Sequence, residues 1–287
     1  MEVKEWSYEE YPSFDEPIDG VERIPTTGDE KGAYIFSNVE YAHVDGITLH
    51  LQIIVPRTRN TTDSDETYPC IVYVQGSAWL KQNINSKLGV LSRLAEKGYV
   101  IAVVEYRHSG IATFPAQAID TRNAIRFMKI HADEYKADAT KMFVAGDSSG
   151  GHIALLVALQ ERYNFKGIID LYGVTNFMTF NNWYSKYDWH EERNVTDFLG
   201  SLDIELLMKA SPMTYLKENM SLPPFLILHG DKDHVVPITQ SIELYEKLKE
   251  YHYDVIFGRV HDADHGRSIF YNEDVYQTII AFLDKHQ

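Results

Sequence analysis

The residues best suited to do chemistry surround the run Gly146-Asp147-Ser148-Ser149-Gly150. A Gly-x-Ser-x-Gly match arises by chance roughly once in ten chains of this length at average glycine and serine usage, so the run alone decides little. Its context decides more. Phe143-Val144-Ala145 before it reads as a strand end, and His152–Ala158 after it as the start of a helix. A sharp strand-to-helix turn lifts a serine above a sheet, and glycines on either side avoid clashes in such a turn. The helix N-terminus adds backbone N–H groups and partial positive charge beside the hydroxyl. Ser148 is therefore the candidate nucleophile.

A serine hydroxyl needs a base to take its proton, and the chain has twelve histidines. For a serine at such an elbow, the acid and then the base follow on loops after later strands. His265 lies in His261-Asp262-Ala263-Asp264-His265-Gly266, after an apolar strand, and Gly266 permits a tight turn. His261 is its rival on the same loop, and the turn glycine favours His265. His152 follows the nucleophile on its helix and should face away from the base position. His229 and His234 read as structural. The acid comes from His229-Gly230-Asp231-Lys232-Asp233-His234-Val235-Val236-Pro237. Asp233 is preferred to Asp231 because the apolar Val-Val-Pro anchor fixes its direction, as a group that orients an imidazole requires. The oxyanion needs amide donors. Ser149 supplies one, and Ser77 and Ala78 in the loop Gln75-Gly76-Ser77-Ala78-Trp79 supply the others.

A metal site is the competing reading. His261, Asp262, Asp264 and His265 form a dense N/O cluster, and the histidines have the spacing of a helical ligand pair. Asp262 stands where that zinc motif needs glutamate, and Gly266 argues for a loop, so neither metal nor cofactor is expected. Cys70, the single cysteine, heads an apolar run and reads as a small buried hydrophobe.

These groups need a frame. After an irregular, aromatic-bearing arm over residues 1–33, two strands, Tyr34–Ala42 and Ile47–Val55, flank the hairpin signal Asp45-Gly46. Strands then alternate with helices. The strands are Ile71–Val74, Val100–Val104, Lys141–Ala145, Gly167–Tyr172, Phe225–Leu228 and Val255–Gly258. The helices are Lys87–Lys97, Ala116–Tyr135, Ser149–Arg162, Thr239–Tyr251 and Glu273–Lys285. Short apolar strands alternating with amphipathic helices specify an α/β domain over 34–287, with a mostly parallel sheet covered on both faces. Residues 175–221 break the alternation. They are rich in aromatics, including Phe177, Phe180, Trp183 and Trp189, and read as a lid-like insertion. The arm is expected to pack onto the body through its rings.

The chain has 287 residues and a formal charge of −15, which disfavours nucleic acid and anionic membranes as partners. No run reaches the ~18 apolar residues of a membrane span, and the N-terminus lacks the features of a signal peptide, so a cytoplasmic protein is expected. A homo-oligomer is compatible with the sequence.

The pattern resembles the α/β-hydrolase superfamily, esterase/lipase branch, and within it bacterial feruloyl and acetyl-xylan esterases. The resemblance runs from about residue 35 to the C-terminus. It rests on Gln75-Gly76-Ser77-Ala78-Trp79, a variant of the His-Gly-Gly-Gly loop, and on Glu105-Tyr106-Arg107 with Phe114-Pro115-Ala116-Gln117 and Asp120. The elbow through Gly151-His152, His229-Gly230 with Asp233, Val236 and Pro237, and Asp264-His265-Gly266 complete it. It implies an α/β-hydrolase fold and a serine carboxylesterase acting on acetyl or hydroxycinnamoyl esters of plant-derived carbohydrate. Trp79, Trp183 and Trp189 are the candidate substrate-binding residues, since aromatic rings can carry a sugar or phenolic group. A peptidase or acyltransferase on the same fold, or a non-catalytic binding module, are the alternatives.

Overall fold

The computed structural model describes residues 5–7, 10–25, 31–58, 66–161, 163–180 and 192–287, with the side chains of 58, 192 and 193 outside that description. Met1–Glu30 and Lys31–Gln287 form separate compact units. The described part of the first has no helix or strand.

The second unit is built on an eight-stranded sheet among the described residues, in the order β1-β2-β4-β3-β5-β6-β7-β8. β1 (Lys31–Val44) and β2 (Ile47–Thr58) form the antiparallel hairpin read from Asp45-Gly46. Both turn residues have positive φ (52° and 78°), the conformation a two-residue type I′ turn demands. β2 runs antiparallel to β4 (Val100–Val104). From β4 onward β3 (Tyr68–Val74), β5 (Ala137–Asp147), β6 (Gly167–Leu171), β7 (Phe225–Gly230) and β8 (Val255–Val260) pair in parallel.

Side chains on alternate strand positions enter two separate cores, as a period of two requires. Cys70, Val72 and Val74 pack with Ile125 and Met128 of α2 (Ala116–Ile130), Leu155 of α3 (Ser149–Gln160) and Leu244 of α6 (Thr239–Glu250). Ile71 and Tyr73 face the other way, toward Leu91 and Leu94 of α1 (Leu88–Ala95) and Phe282 of α7 (Glu273–His286). The sheet is thus covered by helices on both faces, and β3 to β7 read as continuous apolar runs because neither face meets water. Burial pushes the Cys70 thiol up to about 12, which keeps it inert.

Element boundaries depart from the sequence reading in two informative places. The helix expected to reach Tyr135 stops at Ile130, and Ala132–Tyr135 forms a 3₁₀ turn closed by left-handed Lys136. Ala132 and Tyr135 are the buried pair, and an i, i+3 spacing suits that tighter winding. β5 begins at Ala137, not Lys141, because Ala137 and Asp138 continue the ladder alongside Tyr68 and Pro69 across a bulge.

Within 175–221, α4 (Glu192–Leu199) and α5 (Ile204–Ala210) are described. Phe177, Phe180 and Phe198 are buried and belong to the core on the Cys70 face of the sheet.

Candidate active site

β5 lies in the interior of the sheet and ends at Asp147, which places Ser148 above the C-terminal strand edge. Ser148 sits at φ 53° and ψ −127°, a strained conformation for a residue with a side chain. Its amide donates to Leu171 O (2.9 Å), and the His152 amide donates to Ser148 O (3.0 Å). The flanking glycines are obligatory for lack of room. A Cβ on Gly146 would lie 2.4 Å from Gly150 O, and one on Gly150 would lie 2.0 Å from Val74 O. β3 pairs with β5 in the register Val74↔Gly146, so the loop that follows β3 is delivered beside the elbow.

Asp233 and His265 arrive from the loops after β7 and β8. Asp233 Oδ1 accepts the Val235 and Val236 amides (2.9 Å each), so the loop itself aims the carboxylate. Its Oδ2 accepts His265 Nδ1–H (2.7 Å). A carboxylate can only accept, so Nδ1 carries the proton and Nε2 is the free acceptor. Ser148 Oγ donates to that nitrogen (2.8 Å). The His229 ring lies behind, with Nε2 shared between Val236 O (2.9 Å) and Asp233 Oδ2 (3.3 Å). Burial would raise the Asp233 carboxyl, but hydrogen bonds from His229 and His265 hold it well below the usual carboxylate range. The His265 loop is pinned by Asp264, whose Oδ1 accepts both the His265 amide (2.7 Å) and His234 Nδ1–H (2.5 Å). The Tyr172 ring packs edge-on against His265 (4.9 Å between centroids).

The structure therefore brings Ser148, His265 and Asp233 into one hydrogen-bonded chain. The rivals meet each other elsewhere: His261 Nδ1 bonds Asp231 Oδ2 (2.9 Å) at the surface. The cluster expected to compete as a metal site is divided by the same contacts. Ligand atoms of Asp231, His261 and Asp262 lie within 4.8 Å of one another, but Lys232 is ion-paired to Asp262.

The loop after β3 differs from expectation at Ser77. Its amide donates to Ser149 Oγ (2.9 Å) and is thereby withdrawn from an oxyanion. Ala78 and Trp79 both take positive φ (53° and 58°), and the backbone turns sharply there. Among the described residues no bond reaches the Ala78 or Ser149 amide. The Gln75 side chain faces away from the site, donating to Asn83 O (2.9 Å).

Asp147 ties the loop to the elbow. Its Oδ1 accepts Tyr73 O–H (2.6 Å) and the Gly76 amide (3.1 Å), and its Oδ2 accepts Lys87 Nζ. Burial lowers the Lys87 ammonium pKa, but the Asp147 charge, the nearby Tyr271 oxygen and the hydrogen bonds to both together outweigh it, and the net shift is upward. Sequence reading missed this arrangement.

Trp79, the candidate substrate-binding residue of this loop, is buried. Its ring stacks on Phe198 (4.6 Å, 14°), and its indole N–H donates to His152 Nδ1 (3.1 Å). His152 Nε2 donates to Ala210 O (2.8 Å), and burial pushes the ring down to about 4, so it stays neutral. Trp79 also lines the small cavity beside Ser148. Trp183 and Trp189 lie outside the described residues.

The family model BD-FAE matches residues 51–248. Over 196 residues the chain is 29% identical to Esterase LipC of Mycobacterium tuberculosis, covering 63% of this chain and 48% of that protein. The chain spans about half the length of the curated relatives it matches. Among solved structures, an inhibited Esterase B from Lactobacillus rhamnosis superposes with a TM-score of 0.75 at 19% identity, over 92% of this chain and 88% of that one. A truncated carbohydrate esterase from gut microbiota superposes with a TM-score of 0.74 at 21% identity, over 91% and 98%. The fold is that of the α/β-hydrolases. No helix among the described residues is long and apolar enough to cross a membrane.

Proposed function

The chain belongs to the BD-FAE family, and from that premise we propose that it is a serine carboxylesterase working through an acyl-enzyme. The observation that carries this reading is the chain of hydrogen bonds from Ser148 Oγ through His265 to Asp233. His265 Nε2 takes the Ser148 proton as Oγ attacks the ester carbonyl. The carbonyl oxygen gains negative charge and is met by the Ala78 and Ser149 amides, aided by the N-terminus of α3. Asp233, ionised and buried, stabilises the imidazolium without taking its proton. His265 then returns the proton to the departing alkoxide, and the acyl group stays on Ser148. Water, deprotonated by His265, repeats the sequence and frees the acid.

The substrate is proposed to be an acetyl or hydroxycinnamoyl ester, on a plant-derived oligosaccharide. The sequence resemblance supports this, as does the fold shared with a carbohydrate esterase from gut microbiota. Matched acetyl and feruloyl esters, their amide counterparts, and an added alcohol acceptor test the reading. Ester hydrolysis should dominate, and trapped acyl-enzyme should map to Ser148. Faster amide cleavage, or transfer to alcohol outrunning hydrolysis, would replace it with a peptidase or an acyltransferase.

A further inference from the structure

A small cavity touches Ser148 and both candidate oxyanion residues, Ala78 and Ser149. His265 does not line it. That division of the site assigns its two sides. The leaving alcohol must take its proton from His265 Nε2, so it departs on the histidine side. A void lined by the nucleophile and the two oxyanion residues, yet not by the histidine, lies where the acyl substituent must go.

The cavity measures about 20 Å³. A single water needs about 10–15 Å³ on that measure, so the void holds one methyl-sized group and little more. Its walls include Trp79, Phe180 and Val195, all buried, and Asn194 is the one polar side chain among the wall residues contributed by the insertion. Trp79 is held by Phe198 and His152, as described, so that wall does not yield readily. An acetyl group places its methyl in this space. A butyryl chain or a hydroxycinnamoyl ring exceeds this volume, and among the described residues Phe180 and Val195 are the apolar side chains of the insertion that bound it.

We infer that this cavity is the acyl pocket and that Phe180 and Val195 limit the acyl group to acetyl. The inference rests on the esterase reading above and narrows its substrate class from acetyl or hydroxycinnamoyl esters to acetyl esters.

The experiment compares 4-nitrophenyl acetate, butyrate and ferulate on wild type, Phe180→Ala and Val195→Ala. Labelling of Ser148 by a small organophosphate is followed in parallel. One methylene in an apolar pocket shifts kcat/KM by about 10–200-fold. Wild type should therefore prefer acetate to butyrate by on the order of 100-fold, with ferulate lower still. Each variant should raise the butyrate-to-acetate ratio by about 10-fold or more. Val195→Ala, which removes less volume than Phe180→Ala, guards against loss of fold. The inference is overturned if wild type hydrolyses butyrate or ferulate as fast as acetate, or if both variants keep the wild-type ratio. If Ser148 is labelled and long acyl groups are preferred, the pocket assignment alone falls. If no ester turns over and Ser148 resists labelling, the esterase reading falls with it.

Discussion

Replacing Lys87 with methionine removes the cation from beneath the elbow. Methionine keeps most of the apolar stem, so the change isolates the charge. Lys87 and Asp147 are both largely shielded, with side-chain exposures of 16% and 5%. Removing one partner of a buried pair costs about 3–5 kcal/mol, because the other charge stays buried and uncompensated. Asp147 retains Tyr73 O–H and the Gly76 amide, so the lower end, about 3 kcal/mol, is expected. At roughly 2–4 °C per kcal/mol, the melting temperature should fall by roughly 6–12 °C. Urea denaturation of wild type, Lys87→Met, Asp147→Asn and the double variant forms the assay. The double variant lacks the stranded charge and should recover at least about 1.5 kcal/mol over the sum of the singles. Strict additivity would refute the claim that Lys87 acts through Asp147. The pH dependence has a fixed sign. The folded-state value of Lys87 is raised, so its contribution is complete below the ordinary lysine value of 10.5 and is lost only as pH climbs through the raised value.

Asp233→Asn cannot hold the imidazole tautomer and should lower kcat by about 10⁴, read in steady-state ester hydrolysis with an intact circular dichroism spectrum. Ser149→Ala frees the Ser77 amide and loosens the oxyanion loop, so kcat should fall by roughly 10-fold with KM little changed; a pure KM effect would contradict the assigned bond. Asp170, on β6, is buried, its Oδ2 has no hydrogen-bond partner among the described residues, and burial raises its carboxyl to about 7. Its ionisation therefore opposes folding: the penalty is absent below about pH 4, grows with pH and is complete above about 7. Asp170→Asn should accordingly gain up to about 4 kcal/mol over wild type at pH 8 relative to pH 4, measured by urea denaturation at both; a pH-independent difference would contradict this.

The sheet and the Ser148, Asp233 and His265 placements were legible because each rests on local pattern. Apolar runs of strand length, the Asp45-Gly46 turn and the glycines around Ser148 all state their geometry within a few residues. Asp233 was separable from Asp231 because Val235 and Val236 follow it, and their amides are the ones that aim its carboxylate. What escaped lies in contacts between distant segments. The Ser77 amide is taken by Ser149 Oγ, 72 residues away, and nothing in either short motif announces it. Lys87 looked like the start of a helix, and its pairing with Asp147 depends on where α1 packs against the sheet. Trp79 was legible as an aromatic beside the oxyanion loop, but its bond to His152 was not. His152 on the next helix was the available signal, since a buried imidazole needs partners for both nitrogens.

The proposed hydrolysis depends on Ser148 as a nucleophile activated by His265. The direct measurement is steady-state hydrolysis of 4-nitrophenyl acetate by wild type and Ser148→Ala, with folding checked by thermal melting. Loss of about 10⁴-fold or more in kcat, at an unchanged or higher melting temperature as the strained elbow is kept with a smaller side chain, is the predicted result. Turnover by Ser148→Ala within about 10-fold of wild type would contradict the account.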